Sequence, residues 1–85
     1  MSGVAELIEA CREAIEGLKR EHNVDAEELW VCAEEWPQAK GMTVLDVPIV
    51  LRVYGRGSVS AHGRAGGFGF VFPAPIRVPL RWGAP

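Results

Sequence analysis

Around Thr43 the spacing of apolar residues changes, and this change constrains the fold more than any other feature of the chain. Before it, Val4, Leu7, Ile8, Cys11, Ile15 and Leu18 recur at three- and four-residue steps with charges between them. Only an α-helix, at about 3.6 residues per turn, gathers such positions into one stripe. After it, Leu45, Val47, Ile49, Leu51 and Val53 alternate with Asp46, Pro48, Val50, Arg52 and Tyr54. A period of two belongs to a strand with one covered face. Helix first and strands later predict an α+β domain: an N-terminal amphipathic helix packed on an antiparallel sheet of three to four strands.

Local signals refine this plan. Ser2 can cap the first helix and Asn23 can end it in a left-handed turn. Residues 25–36 read two ways. Asp25 with Glu28 resembles a capping box, and Leu29, Cys32, Ala33 and Trp36 share a helical face, which favours a second short helix. Leu29-Trp30-Val31-Cys32-Ala33 would equally serve as a buried strand. From Thr43 to Tyr54 the alternation predicts one long strand, with Pro48 asking for an edge or a bulge. Gly55-Arg56-Gly57 reads as the turn that returns 58–64 against it as a hairpin. Phe68, Phe70 and Phe72 suggest a further strand, and Ile76, Val78, Leu80 and Trp82 a last one, at an edge because of Pro79.

A chain of 85 residues has room for one small domain, here 1–85, with an acidic and mainly helical part (1–40) and a strand-rich part holding arginines (43–82). That length excludes a multidomain enzyme, and two cysteines exclude a disulfide scaffold. The start carries no signal-peptide pattern, and the longest uncharged stretch, 65–76, is too short to span a bilayer, which takes about 20 apolar residues. A soluble, cytoplasmic protein with no membrane association is the expectation.

The formal net charge of -2 conceals a division. All eleven acidic residues and four bases precede Val47; the rest of the chain holds five arginines and no acid. If the strands turn their apolar side to the helix, Arg52, Arg64, Arg77 and Arg81 line the opposite face, with Tyr54, Arg56 and His62 nearby. The plain alternative is ordinary outward-facing polarity, which leaves the missing acids unexplained. Arginine suits an anionic partner because its planar guanidinium makes paired contacts to carboxylate and phosphate.

Other constellations are weaker. The glycines of 63–69 could free backbone N–H groups for a phosphate, but neither GxGxxG nor GxxxxGK[ST] spacing occurs, so turns and bulges are the simpler role. Ser58, Ser60 and His62 share one side of a strand, and Asp46 could adjoin them, yet no nucleophile elbow accompanies them. Cys11, Cys32 and His22 make an incomplete metal set, with Cys11 on the apolar stripe. Glu27-Glu28 and Glu34-Glu35 read as solvated acidic surface. Of Trp30, Trp36 and Trp82 at least one should anchor the core, with Trp36 and Trp82 the better interface candidates. Aromatic stacking of nucleobases has little support when Tyr54 alone lies beside the arginines.

The expected function is a non-enzymatic binding module, an inhibitor or adaptor that meets an anionic surface through the arginine face. The macromolecular partner would be an acidic protein, including a nucleic-acid-handling complex, or a nucleic-acid backbone. No cofactor and no metal are expected. Two alternatives stand beside it: a self-assembling homo-oligomer joined head to tail by acidic and basic faces, and a nucleotide or phosphate binder using Gly55–Gly69.

Overall fold

The computed structural model describes residues 3–63 and 76–80. One helix, α1 (Gly3–His22), precedes five strands: β1 (Ala26–Cys32), β2 (Thr43–Val44), β3 (Val47–Arg52), β4 (Ser58–Gly63) and β5 (Ile76–Pro79). A short 3-10 turn, Pro37–Ala39, lies between β1 and β2. The sheet order is β2-β3-β1-β4-β5, and α1 packs on one side of it. This is the α+β plan expected from the change of period, with one more strand and with a parallel pair among antiparallel ones.

In α1, Leu7, Ala10, Cys11, Ala14 and Leu18 are fully buried against Leu29, Val31, Val59 and Ala61 of the sheet. Gly17 lets the helix approach β5 closely, since a Cβ there would stand 3.1 Å from Ile76 Cγ2. Asn23 ends the helix as anticipated, with φ of 56° and its N–H donating to the Lys19 carbonyl at 2.9 Å.

Residues 25–36 are not a helix, which corrects the favoured reading. Ala26–Cys32 form the central strand of the sheet, hydrogen-bonded on both edges. Pairing on two sides and burial of Leu29 and Val31 outweigh the local capping signal, as tertiary context commonly does for short apolar runs. Trp36 falls in the turn after β1 and is only 2% exposed, so it is a core residue and not an interface candidate.

The single long strand expected over 43–54 is two strands. Leu45 and Asp46, with φ of 50° and 66°, form a two-residue loop that folds β2 back on β3. Neither Gly nor Asn marks this turn, and alternation runs through it unbroken. Pro48 lies near the start of β3 opposite Thr43 of β2, so it stands at neither the edge nor the bulge expected of it; the Ala26–Glu28 bulge lies in the pairing of β1 with β4. The hairpin expected between this segment and 58–64 does not form either. β1 lies between them, parallel to β3 (Leu29 beside Ile49, Val31 beside Leu51) and antiparallel to β4 (Trp30 beside Ser60). The edge role expected from Pro79 agrees with β5, which among the described residues pairs only with β4. The strand anticipated at Phe68–Phe72 lies outside the described residues.

Leu45 is 57% exposed and holds a left-handed conformation that costs a branched residue about 1 kcal/mol. Changing Leu45→Asn together with Asp46→Gly is therefore expected to raise Tm by roughly 4–8 °C in a domain of this size. Calorimetry checks this; an unchanged Tm would show that the turn carries no strain.

Candidate site on the sheet face opposite the helix

Strand alternation decides which side chains meet on the side away from α1. Leu29, Val31, Ile49, Leu51, Val59, Ala61, Ile76 and Val78 turn toward the helix and its core. Glu28, Trp30, Val50, Arg52, Ser60, His62 and Arg77 occupy the other face, against which no described helix packs, although Ser60 and His62 are themselves buried.

The register sets them in a row across the sheet. Trp30 of β1 is flanked by Arg52 from β3 and His62 from β4. The Arg52 Cζ lies 4.3 Å from the centre of the Trp30 ring, and His62 stacks on that ring at 3.7 Å and 24°. Tyr54 stands edge-on to Trp30 at 6.3 Å. The Arg52 Nε and Nη2 donate to the Tyr54 hydroxyl oxygen at 3.2 and 2.9 Å. Trp30 Nε1 donates to Glu28 Oε1 at 2.8 Å. A cation over an indole face gains about 0.5–2 kcal/mol, depending on desolvation. The guanidinium is thus held in place.

Beside this row lies a concavity of about 220 Å³, lined by Trp30, Tyr54, Gly55, Ser60, His62 and Arg77. Its wall is aromatic, its rim carries Arg77, and Ser60 adds a hydroxyl. His62 is 5% exposed, and burial lowers its pKa from 6.5. Glu28 works against that shift, whereas Arg52 and Arg77 reinforce it. The imidazole therefore joins the face as a neutral ring at neutral pH. The unfolded chain takes up a proton near pH 6.5 and the folded chain only at lower pH, so acidification favours unfolding. Urea midpoints measured from about pH 7.5 down to about pH 5.5 should fall, and His62→Gln should flatten that slope. An unchanged slope would mean that His62 does not titrate differently in the two states.

Arg56 goes elsewhere. It pairs with Glu34 at 2.6 Å, and Glu35 accepts from the Gly57 N–H at 2.8 Å. Glu34 and Glu35 thus hold the 55–57 turn instead of forming a free acidic surface, and the hydrogen bond to Glu34, with the charges of Glu34 and Glu35, raises the Arg56 pKa. Arg52 and Arg77 form no ion pair with any described residue. Of the other predicted site residues, Arg64, Arg81 and Trp82 lie outside the described residues, as does most of the 63–69 glycine segment.

The catalytic arrangements are not assembled. Asp46, in the loop between β2 and β3, is separated from β4 by β3 and β1, so it does not adjoin Ser58, Ser60 and His62. Cys11 is fully buried, and burial pushes its thiol up to about 12, away from the thiolate that nucleophilic attack requires. Among the described residues no group of three His, Cys, Asp or Glu could hold a metal ion. No described helix is long and apolar enough to cross a membrane.

Trp30 and Glu28 belong to this face but were missed from the sequence, whereas Ser60 shares the strand side expected for His62. Reading 29–33 as a strand would have put Glu28 and Trp30 out of phase with Leu29 and Val31, and so beside the arginines. No protein-family model matches the chain, and neither a curated protein nor a solved structure is significantly similar to it.

Proposed function

We propose that the protein is a non-enzymatic binding module, an inhibitor or adaptor, whose sheet face opposite α1 engages an acidic surface of a partner protein. The observation that carries this reading is the contrast among arginines. Arg56 has its carboxylate within the chain, while Arg52 and Arg77 hold charge on an open face without an ion pair to any described residue. Acidic protein is favoured over a nucleic-acid backbone for two reasons. One is that Trp30 is already sandwiched by Arg52 and His62, which leaves its faces closed to a base; the other is that the concavity beside it is walled by side chains and holds no cradle of backbone N–H groups for a phosphate among its lining residues. Two free, buried thiols support a reducing compartment such as the cytoplasm.

Charge reversal tests the reading. Arg52→Glu and Arg77→Glu should each weaken binding to an acidic polypeptide about tenfold or more, while Arg56→Glu should have less effect. Equal loss from all three would point to unspecific attraction. A steep salt dependence with DNA or RNA would favour the nucleic-acid partner instead.

A second reading rests on a groove of about 220 Å³ between α1 and β5, with Glu6, Glu9 and Glu13 along it. Its charge complements Arg52 and Arg77, so copies could associate head to tail. Light scattering across a salt series tests this: a monomer at low salt rules it out.

A further inference from the structure

The outer edge of β3 is only half covered. β2 pairs with Val47 and Pro48, and the Ile49 N–H reaches the Met42 carbonyl at 3.0 Å. On the other side the Ala33 N–H donates to the Arg52 carbonyl at 2.7 Å, so even-numbered residues of β3 direct their backbone groups to β1 and odd-numbered ones outward. Leu51 consequently presents its N–H and C=O at the edge beyond β2, with no hydrogen bond there to any described residue. Val53, next in phase, is 88% exposed. Unpaired strand edges are templates for another strand unless something blunts them.

We infer that this edge accepts an extended segment of the partner as an added strand, in which acidic residues alternate with apolar ones. The inference rests on the acidic-partner reading and gives it a geometry. A strand beside Leu51 would set its own side chains alternately on the two sheet faces. On the open face its neighbours are Arg52 and Tyr54, which call for a carboxylate. On the helix side its neighbour is Leu51, packed against the core, which calls for an apolar residue. A second copy of the same edge suits less well. Pairing Leu51 with its counterpart would bring the two Arg52 side chains to diagonal positions on one face, where like charges repel.

The test uses the full isotope-labelled chain and three capped peptides. The first alternates Glu with Val, the second is the same peptide N-methylated at alternate residues, and the third carries Lys in place of Glu. The Glu–Val peptide should bind and slow hydrogen exchange at the Leu51 amide. N-methylation should weaken it about tenfold through lost main-chain hydrogen bonds, and the Lys peptide should not bind. Arg52→Glu should reverse the preference between the Glu and Lys peptides, a readout that mere loss of folding cannot produce. If the acidic peptide binds in an Arg77-dependent manner but leaves Leu51 exchange unchanged and tolerates N-methylation, strand addition is wrong and the face reading survives. If no acidic peptide or protein binds, both fail. A dimer that forms without peptide and protects Leu51 would assign the edge to a second copy and overturn the inference.

Discussion

Trp36→Ala should remove a large part of the stability of the domain. Emptying a buried tryptophan site costs about 3–5 kcal/mol, through lost transfer energy and the cavity left behind. A domain of 85 residues has about 4–13 kcal/mol to lose, on the usual 0.05–0.15 kcal/mol per residue. Trp36 is among the largest fully buried side chains, and its backbone N–H bonds the Cys32 carbonyl at 3.0 Å, fixing the exit from β1. Circular dichroism and a urea titration measure the effect. Trp36→Phe, which keeps most of the apolar volume, should lower the midpoint by much less. A wild-type midpoint for the alanine variant would remove Trp36 from the core.

Gly63→Ala is expected to be nearly as damaging, although it adds a single methyl group. A Cβ at Gly63 would collide with the Asp25 carbonyl and stand 2.6 Å from Val24 Cγ1. Gly63 pairs with Ala26 where β1 starts and bulges, so its obstacle is the backbone that leads directly into the central strand. Forcing atoms into such a contact costs about 1–3 kcal/mol or more, which lowers Tm by roughly 4–8 °C for each kcal/mol. Gly41→Ala provides the contrast. Nothing lies within 4 Å of its added carbon, and only the positive φ of 83° is strained, so a loss near 1 kcal/mol is expected. Equal effects of the two substitutions would mean that the Gly63 contact relaxes freely.

Period and charge made half of this molecule legible. The stripe from Leu7 to Leu18 could be nothing but a helix, and β5 announced itself through Ile76, Val78 and Pro79. The same alternation placed Arg52 and Arg77 opposite the apolar side. Strand neighbours were not legible, because pairing depends on long-range packing. Leu45-Asp46 turns without a glycine, and β1 inserts between two strands that looked like a hairpin. That insertion also hid the site. Trp30 and Glu28 reach the arginine face only once residues 26–32 are known to be its central strand, and His62 becomes a buried neutral ring only once Trp30 lies on it. Arg56, by contrast, was removed from the face by Glu34, a partner 22 residues away that no local pattern reveals.

The position of β1 between β3 and β4 also sets the timing of assembly. Trp30 waits for Val50 on one side and for Ser60 on the other. Neither edge of the central strand can close through a tight turn, so large loops must lose their freedom before the main ladders reward it. A chain this small would fold in microseconds if its contacts were local, whereas mixed topologies of this kind take longer. Until β4 has left the ribosome, β1 has an open edge, and the nascent chain depends on α1 to shield Leu29 and Val31 in the meantime.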